Sequence, residues 1–205
     1  MKVLLINGSP HASGCTYRAL SEVASTLHQE GIETEMIHIG HLQIHGCIAC
    51  YKCKETGKCV FNDCVNQIAA KLEQTDGIVV GSPVYYAGMA GTLKSFLDRL
   101  FCSAPYSMRF KVGAAVVSAR RAGTVATFDD INRFFTISQM IVVGSQYWNE
   151  VHGAQAGDVE QDKEGLQTMR VLGRNLSFVI RSLHLGKSQL QLPEEEPWQK
   201  TNFIR

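Results

Sequence analysis

The chain has 205 residues and a formal net charge of +1, with 19% of its residues charged. That length suits one domain burying roughly 70% of the surface its unfolded chain would expose, so stability requires no disulfide framework. The near-neutral balance excludes a chain-wide nucleic-acid or membrane-surface partner, and no apolar run approaches the ~20 residues that span a bilayer.

The first apolar run is Val3-Leu4-Leu5-Ile6, entered directly from Met1-Lys2 without the basic-then-apolar pattern of a secretion signal. It leads into Asn7-Gly8-Ser9-Pro10-His11-Ala12-Ser13-Gly14-Cys15-Thr16, which reads as a strand end, a tight loop and a helix start. Backbone N–H groups, the hydroxyls of Ser9, Ser13 and Thr16, and a helix dipole would together attract a phosphate. An ordinary βα turn with Ser/Thr capping needs the same residue types and stands as the alternative. Leu20, Val23 and Leu27 then recur at helical spacing up to a stop near Glu30-Gly31. Ile32 to Ile39 is a strand, and its Glu33, Glu35 and His38 predict an edge position.

Periodicity vanishes from 40 to 64, where Cys47, Cys50, Cys53 and Cys59 stand among the seven cysteines of the chain. Such spacing without a secretion signal points to thiolates doing metal or redox work in a reducing compartment, the cytoplasm. The run resembles a 4Fe–4S ligand set more than paired zinc knuckles; metal-free thiols, or zinc helped by His41 or His45, are the other readings. Cys15, Cys64 and Cys102 read as small buried apolar residues.

Val65, Ile68, Ala69 and Leu72 predict the next helix, and Gly77 to Gly81 a fully buried strand. A loop over 82–91, a helix carrying Leu93, Phe96, Leu97 and Leu100, and a strand over 112–118 follow. After the loop at 119–126 come a helix on Phe128, Ile131, Phe134 and Phe135 and a fifth strand at 140–143. A long polar loop over 145–162 precedes the longest helix, from Leu166 to Leu183. Five strands alternating with helices predict a doubly wound, three-layer αβα fold with a five-stranded parallel sheet in the flavodoxin-like order 2-1-3-4-5. Ligands of such sheets sit at the carboxyl ends of the strands, so the loops at 8–16, 82–91 and 119–126 are expected to form one site.

Three users of a phosphate loop are excluded: no Lys follows Gly14, no Gly-x-Gly-x-x-Gly is present, and the first and third strands end in Asn7 and Gly81 rather than acids. A phosphate monoester held by hydroxyls and N–H groups remains, and FMN carries one. Tyr85 and Tyr86 in the second loop offer a flat wall for its ring, or fill a loop cavity.

GSPHASGCT at 8–16 resembles the phosphate loop of the NAD(P)H-dependent FMN reductase family, and GSPVYYAGMAGTLKSFLDRL at 81–100 is similar to its ring-binding loop and following helix. SARRAGT at 118–124 and the closing TNFIR resemble a subgroup related to the iron–sulfur flavoproteins. His11 and Cys15 stand where the family pattern has Arg and Asn. The resemblance implies FMN held by Ser9, His11, Ser13, Cys15 and Thr16 at the phosphate, with Pro83, Val84, Tyr85, Tyr86 and Gly88 beside the ring. Ser118, Ala119, Arg120, Arg121 and Gly123 would close over its other side. The flavin itself does the chemistry, so no catalytic side chain is expected. The order of the elements predicts a domain over 1–185 with a cysteine-rich insertion at 40–64, and an extended tail at 186–205.

The expected activity is reduction of bound FMN by NAD(P)H, with electrons passed to a small acceptor such as a quinone or free flavin. Two alternatives stand beside it. One is an electron carrier with a 4Fe–4S cluster on Cys47, Cys50, Cys53 and Cys59, fed by a ferredoxin-like donor; the other is a non-enzymatic flavin or thiol redox sensor. Trp198, Phe203 and Ile204 in the tail need cover, which predicts a homodimer or homotetramer in which the tail lies across a partner subunit or an outer helix.

Overall fold

A computed structural model of the chain describes residues 1–199 and 201. The strands are β1 (Lys2–Asn7), β2 (Glu33–His38), β3 (Gly77–Tyr85), β4 (Gly88–Met89), β5 (Val112–Ala119), β6 (Ile141–Val142) and β7 (Glu150–His152). The helices are α1 (Cys15–Gln29), α2 (Cys53–Thr56), α3 (Cys64–Glu73), α4 (Gly91–Ser103), α5 (Thr124–Ile137), α6 (Ala156–Val159) and α7 (Lys163–Lys187). The parallel sheet runs β2-β1-β3-β5, with its far edge shared by β6 and β7. These five positions are the predicted flavodoxin-like order, with β2 at the edge.

Alternation along the buried strands sets the layers. Val3 and Leu5 of β1, Val79 of β3, and Ala114 and Val116 of β5 meet α1 and α7. Their neighbours Leu4, Ile6, Ile78, Val80, Ala115 and Val117 meet α3, α4 and α5. Each fully buried Val, Leu or Ile stabilises the fold by about 1.5–3 kcal/mol, so both faces of these strands commit the sheet to the centre.

The sequence is misread at two places. The single strand expected at 140–143 is β6 alone, and the loop expected at 145–162 contains β7 and α6. β6 pairs with the start of β5 at Val112 and Gly113, and β7 with its end at Val117 to Ala119. Asn149 bridges the gap: its buried side-chain amide donates to Ala115 O at 3.0 Å, and its main-chain carbonyl accepts Val117 N at 2.9 Å. One residue, through its side chain and its main chain, thus does the work of missing strand, which leaves no periodic signal. The loop expected at 82–91 is also shorter, because β3 continues to Tyr85 and turns back through β4. Beyond α7 no helix or strand lies among the described residues, and Arg109 holds this segment through Glu195 (2.9 Å) and Pro193 O (3.2 Å). Trp198 is exposed; Phe203 and Ile204 lie outside the described residues.

Candidate functional site

The loop after β1 is tied from several sides. Asn7 Oδ1 accepts Ser9 N at 3.0 Å, Gly8 N donates to Gly81 O at 2.9 Å, and His38 Nε2 donates to Ser9 O at 2.7 Å. Gly40 presses on it from the end of β2: a Cβ there would lie 2.0 Å from Ser9 O, so only glycine permits this contact. Ser9 Oγ accepts His11 N at 3.2 Å. α1 then begins after Gly14 with no side-chain cap and no acid in its first turn, which leaves first-turn N–H groups for an external acceptor. Of the two readings of this stretch, side-chain capping of α1 is therefore absent. Burial pushes the Cys15 thiol upward, so at neutral pH it is an uncharged donor, here to Gly153 O at 3.5 Å. The buried hydroxyls of Thr16 and Ser118 pair at 2.8 Å and join the loop to the end of β5.

Pro83, Val84 and Tyr85 form the next wall. Beyond them Tyr86 and Ala87, at φ 49° and 57°, make the two-residue hairpin turn into β4. Gly123, at φ 94°, seats the following loop so closely that a Cβ would meet Val84 Cγ1 at 2.8 Å. The result is a cleft of about 610 Å³ at the carboxyl ends of β1, β3 and β5, within the range of small-molecule sites.

Eleven of the expected residues line this cleft: Ser9, His11, Ser13, Cys15, Thr16, Pro83, Val84, Tyr85, Ser118, Ala119 and Arg120. Four do not. Tyr86 is fully exposed at the hairpin tip, and Gly88 pairs with Tyr85. Arg121 turns its carbonyl to His152 Nε2 at 3.2 Å, and Gly123 supports Val84 from behind. Sequence reasoning missed a fourth wall, Gly153 to Ala156, which follows β7. Its signal is the Gln155-x-x-Asp158 spacing, a reciprocal capping box that starts α6.

A second cavity, about 250 Å³, lies between the cysteine stretch and α4. Cys47, Cys50, Cys53 and Cys59 all line it, together with Arg99, Cys102 and Ser103. The loop winds tightly, with Ala49 and Tyr51 in the left-handed region at φ 52° and 56°. Such residues cost of order 1–3 kcal/mol each and persist where surroundings impose them, often at ligand clamps. Cys53 Sγ approaches Cys102 O at 3.6 Å, and local desolvation with the Cys53 and Cys47 sulfurs pushes the Cys102 thiol up to about 11. Cys102 is thus an exposed rim residue, not the buried apolar one expected, because it falls on the face of α4 turned to this loop.

Among the described residues no group of three or more His, Cys, Asp or Glu side chains closes on one metal ion. Zinc would hold its sulfurs about 2.3 Å from a common centre. His45 stacks on Phe61 (5.0 Å between centroids), His41 lies tilted against His38 (4.4 Å), and neither His45 nor His41 lines the cavity. Thiols spread around a cavity fit a polynuclear iron–sulfur group better, with one sulfur to each iron. Ser103 lines that same space, and its buried Oγ has no hydrogen-bond partner among the described residues.

A doubly wound sheet with a phosphate-type loop beside a partly apolar cleft defines a flavodoxin-like α/β protein. Residues 1–155 match the family model for NADPH-dependent FMN reductase. An iron–sulfur flavoprotein of Methanocaldococcus jannaschii is 39% identical over 192 residues, covering 88% of this chain and 98% of its own. An iron–sulfur flavoprotein of Methanosarcina thermophila is 28% identical over 193 residues, covering 92% and 100%. The chain belongs to the NADPH-dependent FMN reductase family, in its iron–sulfur flavoprotein group. Among solved structures, RosB with a bound riboflavin-phosphate intermediate superposes with a TM-score of 0.70 at 14% identity, covering 100% of this chain and 94% of its own. A flavodoxin from the domain Archaea superposes at 0.62 and 17% identity, covering 88% and 99%. No described helix is long and apolar enough to cross a membrane.

Proposed function

We propose that this chain is a flavoprotein oxidoreductase that binds FMN in the 610 Å³ cleft and a 4Fe–4S cluster on Cys47, Cys50, Cys53 and Cys59. When bound, FMN exchanges electrons singly or in pairs and the cluster exchanges them one at a time. The observation that carries the reading is that those four thiols all line one cavity, separate from the flavin-type cleft, which supports two redox sites in one chain. A one-electron donor of the ferredoxin type is favoured by this layout, with NAD(P)H as its rival, and a small molecule such as a quinone or free flavin as acceptor.

The chain's own residues bind, orient and shield. The uncapped start of α1, with the hydroxyls of Ser9, Ser13 and Thr16, receives the phosphate, and the neutral Cys15 thiol brings no opposing charge. Pro83, Val84 and Tyr85 supply an apolar wall that excludes water from one side of the ring. Arg120 sets a fixed positive charge at the cleft, where negative charge on a reduced ring would be stabilised. Gly153 to Ala156 close the remaining side. Exposed Tyr147, Trp148 and Trp198 favour assembly into a homodimer or homotetramer, which light scattering after size exclusion would test.

Anaerobic purification with a visible spectrum, iron and sulfide assays, and reduction trials with NADH, NADPH and reduced ferredoxin test the function. The expected result is brown protein with one FMN, about four irons per chain, and reduction by ferredoxin. Yellow, iron-free protein reduced by NAD(P)H would overturn the cluster half and leave the simple reductase; no reduction by any of the three would favour the sensor.

A further inference from the structure

Arg99 is an unusual residue for the middle of an amphipathic helix. It is 1% exposed on the inner face of α4, between Phe96 and Leu100 of the core. A buried guanidinium is tolerated only when its donors are met. Two go to the Asp63 carboxylate, at 2.6 and 2.9 Å, in a bidentate pair. Weaker bonds reach His45 O and Phe61 O, both at 3.4 Å, and the Phe61 ring lies 4.8 Å from the guanidinium carbon. The remaining direction is the informative one: Nε donates to Cys59 Sγ at 3.2 Å. Cys59 is fixed by its backbone too, since its N–H and carbonyl both bond the Asn66 side chain, at 2.9 and 3.0 Å. One turn further along α4 stands Ser103, 5% exposed, which lines the same cavity and whose hydroxyl has no partner among the described residues. Arg99 and Ser103 are four residues apart, so they share a face of the helix, and that face is the floor of the thiol cavity.

We propose that α4 sets the electronic character of the cysteine site: Arg99 is a positioning residue that holds Cys59 ready as a ligand and stabilises negative charge on its sulfur, and Ser103 donates its free hydroxyl into the same space. The proposal rests on the 4Fe–4S reading above. One-electron reduction of a bound cluster by dithionite adds one negative charge, with no bond broken in the protein and no proton required. A cationic donor on a ligand sulfur favours the more negative state, as hydrogen bonds to the sulfurs of such sites generally do. The two donors therefore raise the reduction potential of whatever Cys59 ligates. Asp63 limits the effect of Arg99 by neutralising its charge at longer range while leaving the directional N–H bond intact.

The test is the midpoint potential of the holoprotein, from a dithionite titration followed by electron paramagnetic resonance, with iron content measured alongside. Variants are Arg99→Lys, Arg99→Met with Asp63→Asn, and Ser103→Ala. Arg99→Lys keeps a cation for Asp63 but loses the planar fork that reaches Cys59 at the same time. The double variant removes both charges together, so no charge is left buried alone, and Ser103→Ala removes one oxygen atom and so keeps the fold. The expected result is a more negative midpoint potential in all three, with iron retention reduced most in the double variant. Midpoint potentials equal to the wild-type value in folded, fully loaded variants overturn the proposal. A shift confined to one residue's variants strikes the other residue from it. Wild-type protein that carries no iron after anaerobic purification overturns the cluster reading itself, and the proposal with it.

Discussion

Asp63 performs two tasks with one carboxylate, and separating them gives a quantitative prediction. Its Oδ1 caps α3 by accepting Val65 N at 3.1 Å, and both oxygens hold the buried Arg99. Loss of such a cap costs about 1 kcal/mol. Removing the partner of a buried charge costs about 3–5 kcal/mol, and the lower end applies because the Asp63 side chain retains 27% exposure. Asp63→Ala should therefore destabilise by roughly 4 kcal/mol, and Asp63→Asn, which still caps, by roughly 3. At ~2–4 °C per kcal/mol for a chain of this size, the alanine variant should melt roughly 8–16 °C lower. Arg99→Met with Asp63→Asn should recover most of the loss, leaving about 1 kcal/mol, since no charge is stranded.

The pH dependence has a definite sign. Burial alone would raise the Asp63 carboxyl, but the Arg99 guanidinium and the Val65 N–H more than reverse it and hold it below the ordinary range. A depressed carboxyl stabilises fully above its unfolded value, about 3.9, and the contribution is lost as pH falls through the folded value. The gap between wild type and Asp63→Asn should hold from pH 7 to 5 and close below about pH 4. Urea unfolding at matched iron content measures each variant. An Asp63→Asn protein within 0.5 kcal/mol of wild type at pH 7 would refute the claim that Arg99 depends on this carboxylate.

Ser9→Ala with Thr16→Ala should weaken FMN binding by roughly 10- to 100-fold per hydroxyl that contacts the phosphate, at about 1.5–3 kcal/mol each, read by flavin fluorescence; unchanged flavin content would sink the phosphate assignment. Tyr86→Ala should leave FMN affinity and melting temperature where they are, because the side chain stands clear of the cleft. Gly123→Ala should both destabilise, by about 1–2 kcal/mol for the left-handed backbone, and weaken FMN binding through displacement of Val84; calorimetry with a flavin titration checks it. Cys59→Ser should lose iron while Cys102→Ser keeps it, and an iron assay giving the opposite order would reassign the fourth ligand.

The fold was legible because both faces of β1, β3 and β5 are covered, which writes near-continuous apolar runs into the sequence at Val3–Ile6, Ile78–Val80 and Val112–Val117. The helices were legible from their period. What escaped lacks any period: β7 is three residues long, and Asn149 replaces ladder hydrogen bonds with an amide. The missed wall at 153–156 depends on that strand and was invisible with it. The phosphate loop could be read because a strand and a helix flank it closely. Tyr86 could not be told from Tyr85, since which neighbour faces a cleft depends on a hairpin turn made by non-glycine residues in the left-handed region. Arg99 was hidden for another reason: in a sequence it looks like the polar face of α4, and only the partner 36 residues earlier shows that it is inside.

The glycine at position 40 has a consequence for how the cleft can be studied. It lets the chain after β2 lie directly against the Ser9 carbonyl, so main chain braces the loop alongside the Asn7 and His38 side chains. The N–H groups at the start of α1 are main chain as well. A scan that replaces each loop residue by alanine leaves every one of these main-chain groups in place and samples only the side chains. It would single out Gly8, whose Cβ would meet Gly81 O at 2.9 Å, and Asn7, and score the hydroxyls as modest contributors. Much of the anion recognition would go unseen, and a further sensitive position would turn up outside the loop, at residue 40, as an inexplicable loss of folding or flavin.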